Sequence, residues 1–490
     1  MKKYYQLFIN NQWRDASDKG TFSVVNPATG KELATVASAT AKDVDDAVRA
    51  ARNAFDKGPW PAMSAMQRGR LIRKAADILT ERLDEFAALE TLDVGKPIIE
   101  STAFDIPMTA ECFEFFADMI AGVNGECINT GASLLDYTAK EPIGVVGAIT
   151  PWNFPLALAV RKLAPALAAG NTVVIKPSSL APLTTILLGE VFLAAGFPEG
   201  VVNIVPGSGS VVGNAIATHP LVDKLSFTGS ASVGSDVMSK SAKTIRSTSL
   251  ELGGKSPGVI LADADIDTAV KGILFGAFLN QGECCCALTR VLVDSKIHDK
   301  LVDALVKATK AIRVGMPGEK ATQMGPLVSA DQLKIVKNYI DIGIKEGAKL
   351  LCGGTAPKEK ELADGYFLTP AVFDNVTPEM TIYREEIFGP VVTVSSFDGD
   401  EALIEAANDT EYGLSASIFT TDVAKGHRYA RRIKAGTVWI NVHNFVSAQA
   451  PYGGYKLSGL GRELGREGLE AYLETKNVIT YIDTAPFGWY

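Results

Sequence analysis

The first quarter of the chain carries apolar residues at three- and four-residue spacing, the period of an amphipathic helix. The pattern runs from about residue 43 to residue 125 and begins with DVDDAVRAARNAFD. From NTVVIKP at residue 171 onward, short strand-like runs rich in valine and isoleucine alternate with helical stretches. This alternation is typical of right-handed βαβ units and a parallel, doubly wound sheet. The pattern therefore predicts an α/β protein whose ligands bind at the carboxyl ends of strands.

A second alternation of strands and helices begins near SPGVILADADIDTAV at residue 256 and ends near GTVWINV at residue 436. The C-terminal ETKNVITYIDTAPFGWY is strand-like but lies outside this alternation. We expect it to form an arm or edge strand that pairs either with LLDYTAKEP at residue 134 or with another subunit. A chain of 490 residues is long for a single core, so two α/β domains and a small β arm are predicted.

The composition is that of an ordinary globular protein, with 47% hydrophobic and 21% charged residues. The formal net charge is −8, and no basic block compensates for it. This balance argues against nucleic acid or an anionic membrane as a partner. No apolar run reaches the roughly 18 residues of a membrane-spanning helix, and the N-terminal MKKYYQLFINNQWRD lacks the apolar region of a secretory signal. A cytoplasmic protein is therefore expected.

The six cysteines lie at positions 112, 127, 284 to 286 and 352, which does not suggest a disulfide framework. We expect free thiols in a reducing compartment. NQGECCCALTR places three of them side by side, but consecutive side chains alternate faces on a strand and fan out by about 100° on a helix. Since the chain also has no CxxC pair and only four histidines, the sequence predicts no metal site.

FTGSASVG, residues 227–234, ends a predicted strand and opens a helix with Gly229 and Gly234. Glycine lets the backbone approach a ligand, and a helix N-terminus offers free N–H groups to a phosphate. The stretch matches neither the GxGxxG fingerprint nor the GK[ST] of a nucleotide P-loop. Taken alone, a plain strand-to-helix turn is the simpler interpretation.

Two further polar residues stand in settings that suit catalysis. Glu251 of ELGGKSP follows a β-prone run and is expected at a strand end. A lone glutamate there is usually solvated, but beside a thiol it is a candidate general base. Asn153 of TPWNFP lies in a stiff apolar turn between prolines, where it is either a turn former or an oxyanion donor.

Taken together, these stretches resemble the aldehyde dehydrogenase superfamily, most closely its general and betaine aldehyde branch, from about residue 7 to the C-terminus. The motifs that carry the resemblance, in the family's order, are PWNFP, VIKPS, FTGS, ELGGKSP, FLNQGECCCALTR, EEIFGPV, GTVWIN and PYGGYKLSGLGRELG. The resemblance implies a dinucleotide-binding domain (residues 1–122 and 143–252), a catalytic domain (253–455) and an oligomerisation arm (123–142 and 456–490). It also implies a homodimer or homotetramer.

The family motif F-x-N-x-G-Q-x-C, counted from Phe278, implies that the nucleophile is Cys285, the middle cysteine. Cys284 and Cys286 are then lining residues, since cysteine packs as a small hydrophobe. The resemblance gives Asn153 the role of oxyanion donor and Glu251 that of the base that hydrolyses a thioester. Glu283 stands where the family usually has glutamine, and its carboxylate is expected to raise the pKa of Cys285 slightly if it faces the site.

The resemblance also implies NAD or NADP as cofactor and a small aldehyde as substrate. Two rivals remain: a non-catalytic dinucleotide-binding protein, disfavoured because nucleophile, base and oxyanion donor are all present, and a thiol esterase that needs no nicotinamide. The implied cofactor residues are Trp152, Lys176, Ser179, Gly229, Ser230, Glu386 and Phe388. The implied substrate-tunnel residues are Phe154, Arg161, Cys284, Cys286 and Tyr452.

Two positions bear on specificity. Arg161 occupies a place that is arginine in succinic semialdehyde enzymes and some aromatic ones, but their second arginine matches Leu279 here. A general or aromatic aldehyde is therefore expected first and a semialdehyde second, and the plain alternative is a surface ion pair for Arg161. Ser179 stands where NAD-preferring relatives carry a glutamate. It predicts appreciable use of NADP, unless it only caps the next helix.

Overall fold

The structure, a computed structural model, describes residues 2–488. Its strands in chain order are β1 Tyr4–Tyr5, β2 Leu7–Ile9, β3 Gln12–Arg14, β4 Thr21–Asn26, β5 Lys31–Ala37, β6 Cys127–Ile128, β7 Leu134–Pro142, β8 Val145–Ile149, β9 Thr172–Lys176, β10 Val202–Ile204, β11 Lys224–Thr228, β12 Ser247–Glu251, β13 Ser256–Ile260, β14 Leu288–Asp294, β15 Lys349–Cys352, β16 Ala371–Asp374, β17 Val391–Phe397, β18 Ser415–Phe419, β19 Thr437–Ile440, β20 Gly459–Leu460 and β21 Leu473–Tyr481.

The α-helices are α1 Ala41–Asp56, α2 Ala65–Glu81, α3 Leu83–Val94, α4 Ile98–Glu100, α5 Ile106–Met119, α6 Pro155–Ala169, α7 Leu183–Ala195, α8 Asn214–Thr218, α9 Ala231–Ala242, α10 Ile266–Phe278, α11 His298–Lys310, α12 Ala330–Lys345, α13 Thr381–Arg384, α14 Gly399–Asn408, α15 Val423–Ala430 and α16 Gly465–Glu470. Short 3₁₀ turns lie at Trp60–Ala62, Ile120–Gly122, Leu279–Gly282, Lys360–Leu362 and Lys456–Ser458, and π turns at Ser101–Asp105 and Gly209–Gly213. None of the helices in the described range 2–488 is both long and apolar enough to cross a membrane.

The first large sheet has eight strands in the order β20-β12-β11-β8-β9-β10-β2-β3. Its five central strands, from β12 to β10, run parallel, whereas the flanking strands pair antiparallel. Strands β8, β9 and β11 are buried along their whole length, because helices cover both faces of a parallel sheet.

The second large sheet has seven strands in the order β15-β16-β17-β14-β13-β18-β19. All of its strands run parallel except β15, which pairs antiparallel at one edge. The two sheets confirm the predicted fold class of two α/β units built on parallel strands.

The C-terminal strand β21 pairs antiparallel with β7 along nine residues, from Leu473 opposite Pro142 to Tyr481 opposite Leu134. This is one of the two pairings that the sequence left open. Together with β6 they form a small three-stranded sheet, and β1, β5 and β4 form another. Within the segment expected to belong to the arm, Gly459 and Leu460 instead pair with the end of β12.

Three neighbouring strands of the first sheet end at one edge and position the site. The loop after β8 leads through Asn153 into α6, the turn after β11 leads through Ser230 into α9, and β12 ends at Glu251. All fifteen residues of α6 are buried, as expected for a helix that packs on all sides. The link between α10 and β14, from the second α/β unit, brings Cys285 to this edge.

Candidate active site

The three consecutive cysteines lie in a tight turn rather than in a strand or helix. The Ala287 N–H donates to the Cys284 carbonyl at 3.0 Å, which closes the turn. The three Sγ atoms consequently lie within 4.8 Å of one another, and those of Cys284 and Cys286 are 3.4 Å apart. The expectation that neighbouring thiols diverge is therefore wrong, because it assumed regular secondary structure.

Cys285 lies between two cavities and lines both of them. One cavity, of about 240 Å³, opens on the side of the first sheet. The other, of about 30 Å³, is a narrow tunnel among the buried faces of helices. Cys285 is partly accessible, whereas Cys284 and Cys286 are buried. The middle thiol is thus the one reachable from both sides, as a nucleophile between two ligands must be.

The larger cavity contains most of the residues expected to bind a dinucleotide. It is lined by Pro151, Trp152, Asn153, Thr228, Gly229, Ser230, Leu252, Gly253, Cys285, Gln332, Glu386 and Phe388. The rings of Trp152 and Phe388 meet edge to face with centroids 5.2 Å apart. Ser230 is the N-cap of α9, so free N–H groups of that helix lie at the cavity wall. The residues present fit a dinucleotide.

Gln332 in this cavity was not found from the sequence. Its Nε2 donates to the Phe388 carbonyl at 2.7 Å, and Phe388 has a φ of 57°, which is unusual for a bulky residue. The bond holds the ring of Phe388 against the cavity. No local motif marks Gln332, because it comes from the first turn of α12, far along the chain.

Two of the expected cofactor residues do not line this cavity. Lys176 is buried at the end of β9 and donates to the Pro177 carbonyl at 2.7 Å, and burial lowers its pKa to about 8. Ser179 lines a neighbouring cavity of about 230 Å³ with Ser329 and Asp331. The alternative that Ser179 only caps the next helix is wrong, because α7 begins at Leu183 without a side-chain cap.

The side-chain amide of Asn153 is buried. Its Nδ2 donates to the Glu283 carbonyl at 3.0 Å, and the backbone carbonyl of Asn153 accepts from Asn280 Nδ2 at 2.8 Å. Asn280 sits in the left-handed region with a φ of 49°, a conformation that asparagine tolerates. Because an amide nitrogen carries two hydrogens, one N–H of Asn153 remains available beside Cys285. Asn280 is a positioning residue that the sequence argument did not single out.

Glu251 ends β12 and is buried, 5% exposed, instead of solvated. Its Oε1 has no hydrogen-bond partner within the described chain. Burial raises its pKa well above the usual range, and the carboxylate of Glu463 raises it further. The carboxyl is close to Gly453, where a Cβ would lie 2.6 Å from Oε1. Position 453 therefore favours glycine for two reasons: a side chain would collide with the carboxyl, and its φ of 154° is one that other residues rarely adopt.

A buried ion pair next to Glu251 was also missed. Lys162 Nζ lies 2.5 Å from Glu463 Oε1 and 3.2 Å from Ser226 Oγ. Both charges are almost fully buried, so they set the local field on Glu251 in a poorly screened environment. No local pattern predicts this pair, because its members are 301 residues apart.

The narrow tunnel contains the residues expected on the substrate side. It is lined by Phe104, Met108, Phe154, Leu158, Arg161, Leu279, Cys284, Cys285, Cys286, Asn444, Val446 and Tyr452. Tyr452 OH lies 3.8 Å from Cys285 Sγ. The surroundings are otherwise mainly apolar, which suits the hydrocarbon part of an aldehyde.

Arg161 is the one guanidinium in this lining, and it is buried at 9% exposure. It packs over the Tyr452 ring at 5.3 Å and against Met108 Sδ at 3.8 Å. No carboxylate of residues 2–488 lies within 4.0 Å of it. The alternative of a surface ion pair is therefore wrong: the cation faces the tunnel.

Glu283 does not face either cavity, so the condition for its expected effect on Cys285 is not met. Its Oε1 accepts from the Val328 N–H at 3.0 Å, and its Oε2 has no partner among the residues described. Burial raises its pKa well above the ordinary value, and Lys96 opposes the shift. Lys96 in turn pairs with Asp105 at 2.7 Å. Through this hydrogen bond the Glu283 carboxyl links the turn that carries Cys285 to the loop that contains Val328.

The model of the aldehyde dehydrogenase family matches residues 13–478. This chain belongs to the aldehyde dehydrogenase family. It is 46% identical over 475 residues to the mitochondrial aldehyde dehydrogenase of Homo sapiens, covering 96% of this chain and 91% of that protein. It is 44% identical over 487 residues to the betaine aldehyde dehydrogenase of Bacillus subtilis, covering 99% of both.

Solved structures agree with this assignment. The NAD+ complex of an aldehyde dehydrogenase from Bacillus cereus superimposes with a TM-score of 0.96 at 46% identity, covering 98% of this chain and 97% of that one. The predicted family and enzyme class of this aldehyde dehydrogenase are thus confirmed.

Proposed function

We propose that this aldehyde dehydrogenase oxidises an aldehyde to its carboxylic acid with NAD+ or NADP+, using Cys285 as the nucleophile. The observation that carries the proposal is the position of the Cys285 thiol, which lines both the larger cavity at the strand ends and the apolar tunnel. The Cys285 sulfur attacks the aldehyde carbon, a C–S bond forms and the thiol proton leaves, which gives a thiohemiacetal.

Asn153 stabilises the oxyanion of this adduct. The N–H that does not bind the Glu283 carbonyl is free to donate to the developing charge, together with the Cys285 backbone N–H. Because the Glu283 carbonyl already holds the side-chain amide and Asn280 holds the Asn153 backbone, little reorganisation is needed when the charge appears. A bound nicotinamide would supply the acceptor for the hydride that leaves the adduct carbon, which would leave Cys285 as a thioester.

Glu251 is the base for the hydrolytic half-reaction. It takes a proton from water, the water oxygen bonds to the acyl carbon, and the C–S bond breaks to release the acid. The raised pKa of this buried carboxyl, beside Glu463 and Lys162, makes it a stronger base than an ordinary glutamate once it is ionised. A carboxyl at this place favours hydrolysis over transfer of the acyl group to coenzyme A.

Trp152, Gly229, Ser230, Glu386 and Phe388 are the residues we assign to the cofactor. The relative from Bacillus cereus binds NAD+, which supports the same class of cofactor here. Ser179 in place of a glutamate removes a charge that would repel a 2′-phosphate, and a hydroxyl can donate to it. We therefore infer that NADP+ is used appreciably, with Lys176 supplying attraction from the neighbouring strand end.

For the substrate we propose a general or aromatic aldehyde first, because the tunnel lining is mainly apolar. A second candidate is a semialdehyde that carries its own carboxylate. The observation that favours it is Arg161, a buried cation in the tunnel with no carboxylate within 4.0 Å in the described structure. Leu279 supplies no second cation on the same wall, so an anion would be held from one side only.

The assembly we propose is a homodimer or homotetramer that uses the arm of β6, β7 and β21. Apolar side chains on this sheet are exposed in the single chain, among them Leu135 at 43% and Ile479 at 58%. Burial of such a face against a second copy is favourable.

A reducing compartment such as the cytoplasm suits the proposed function, because Cys285 has to remain a free thiol.

The test is a panel of aldehydes with each cofactor, followed by the absorbance of reduced nicotinamide. We expect benzaldehyde and hexanal to be oxidised with higher kcat/KM than succinic semialdehyde. The reverse order would select the semialdehyde candidate. In that case Arg161→Leu would lower kcat/KM for succinic semialdehyde by about 10-fold or more and spare hexanal. Reduction of neither cofactor with any aldehyde would overturn the oxidoreductase assignment and leave the thiol esterase.

A further inference from the structure

The cysteine turn brings together a set of ligand atoms that aldehyde oxidation does not need. That reaction uses one thiol, yet the Sγ atoms of Cys284, Cys285 and Cys286 all lie within 4.8 Å of one another. In the protonated state Cys286 Sγ donates to Asn444 Oδ1 at 3.2 Å. We propose that the three thiols together bind one Zn2+ ion, or a similar thiophilic divalent cation, which inhibits the enzyme reversibly.

The spacing of the sulfurs is close to what such an ion requires. With Zn–S bonds of about 2.3 Å, tetrahedral geometry places two sulfurs about 3.8 Å apart. Cys284 and Cys286 are already 3.4 Å apart. Cys285 Sγ lies within 4.8 Å of both other sulfurs, and a side-chain rotation in a turn brings it to bonding distance. The fourth position is left to water from the tunnel, so the site is three-coordinate in protein ligands.

Charge selects a divalent cation. Binding replaces each thiol proton by a metal–sulfur bond and releases that proton to solvent. Three thiolates and one divalent ion carry a net charge of −1, and the guanidinium of Arg161 in the same lining neutralises it. Soft thiolates exclude Mg2+ and Ca2+.

Inhibition follows from the place of the ion and rests on the proposed function. A metal-bound Cys285 thiolate is a much weaker nucleophile because its charge is shared with the ion, and the ion occupies the inner end of a tunnel of only about 30 Å³. The ion therefore competes with the aldehyde. It enters past the partly accessible Cys285 from the wider cavity.

Direct binding tests the site without reference to catalysis. The full-length protein, reduced and free of chelator, is titrated with Zn2+ against a chromophoric chelator. We expect one ion per chain, with affinity at least about 100-fold weaker in the Cys284→Ser/Cys286→Ser double variant. Exposed Cys127→Ser is the matched control and leaves affinity unchanged. Co2+ should give a thiolate-to-metal absorption band in the wild type that the double variant lacks.

An unchanged Zn2+ affinity in the double variant, with its thermal midpoint preserved, would overturn the proposal, and so would the lack of a one-per-chain site in the wild type. Activity supplies the second readout: Zn2+ should inhibit in competition with aldehyde, a chelator should restore the rate, and Mg2+ should do nothing. A protein that gives the Co2+ band but oxidises no aldehyde would refute the proposed function and leave the metal site standing.

Discussion

The two cavities that meet at Cys285 are built in different ways. The cofactor side, of about 240 Å³, is formed by loops at the carboxyl ends of β8, β11 and β12. The substrate side, of about 30 Å³, is formed largely by buried side chains around α5 and α6. A site made from strand-end loops has local motifs in the sequence, whereas a site made from helix faces looks like ordinary core. Family motifs nevertheless located the tunnel residues Arg161 and Tyr452, whereas Gln332 on the cofactor side was missed because it comes from a separate helix.

The largest effect is expected where the two sides meet. Cys285→Ser should lower kcat by about 10³-fold or more, because a serine hydroxyl is barely ionised at neutral pH and is a far weaker nucleophile. Cys284→Ser and Cys286→Ser, which line the tunnel side alone, should cost less than about 10-fold. Steady-state assays of the three purified variants provide the check. A comparable loss in all three would refute the assignment of one nucleophile.

Glu251→Gln separates the redox step from hydrolysis. We expect steady-state turnover to fall by about 10²-fold or more, while the burst of reduced cofactor in the first turnover falls much less, because hydride transfer precedes hydrolysis. Rapid-mixing kinetics measures both quantities in one experiment. Gln keeps the shape of the buried side chain, so folding is unaffected. If burst and steady state decline equally, Glu251 does not act as the hydrolytic base.

Ser179→Glu probes the outer part of the cofactor side. A carboxylate about 4 Å from a 2′-phosphate costs roughly 1 to 4 kcal/mol, so the ratio of kcat/KM for NADP+ to that for NAD+ should fall by about 10-fold or more. Ser178→Glu is the matched control, since its neighbouring hydroxyl instead accepts from the Leu180 N–H. Wild-type protein that is inactive with millimolar NADP+ would leave Ser179 without a role in cofactor choice.

The smallest effect concerns Glu283, the carboxyl behind both cavities. Burial raises its pKa in the folded state above that in the unfolded chain. The folded state therefore holds this proton more tightly, and stability falls as pH rises from the unfolded pKa toward the folded one. The facing groups are Lys96 and Gln281, and Lys96 also meets Asp105 and Glu90.

Glu283→Gln keeps an acceptor for the Val328 N–H but cannot ionise. Between about pH 5 and about pH 9 its thermal midpoint should fall about 2 to 4 °C less than that of the wild type. Glu283→Ala, which loses the acceptor, should be less stable at every pH. Calorimetry across this pH range measures the thermal midpoints of the wild type and both variants. Parallel curves for wild type and Glu283→Gln would mean that this carboxyl does not titrate with unfolding.

The sequence by itself determined the parallel α/β architecture and the place of Glu251 at a strand end. Those features depend on local periodicity, turn residues and motif spacing. It also predicted the strand-end side of the site, where Trp152 and Ser230 follow directly from neighbouring strands. Such information is local, and the chain carries it within about 10 residues of each site.

Only the tertiary structure decided the rest. The Lys162–Glu463 pair joins residues 301 positions apart, and Gln332 reaches Phe388 from a separate helix. Arg161 is indistinguishable in sequence from a surface residue until packing buries it in the tunnel. The convergence of three thiols likewise depends on one turn hydrogen bond, from Ala287 to Cys284. Long-range packing sets burial and charge contacts, and these decide which polar side chains face the substrate.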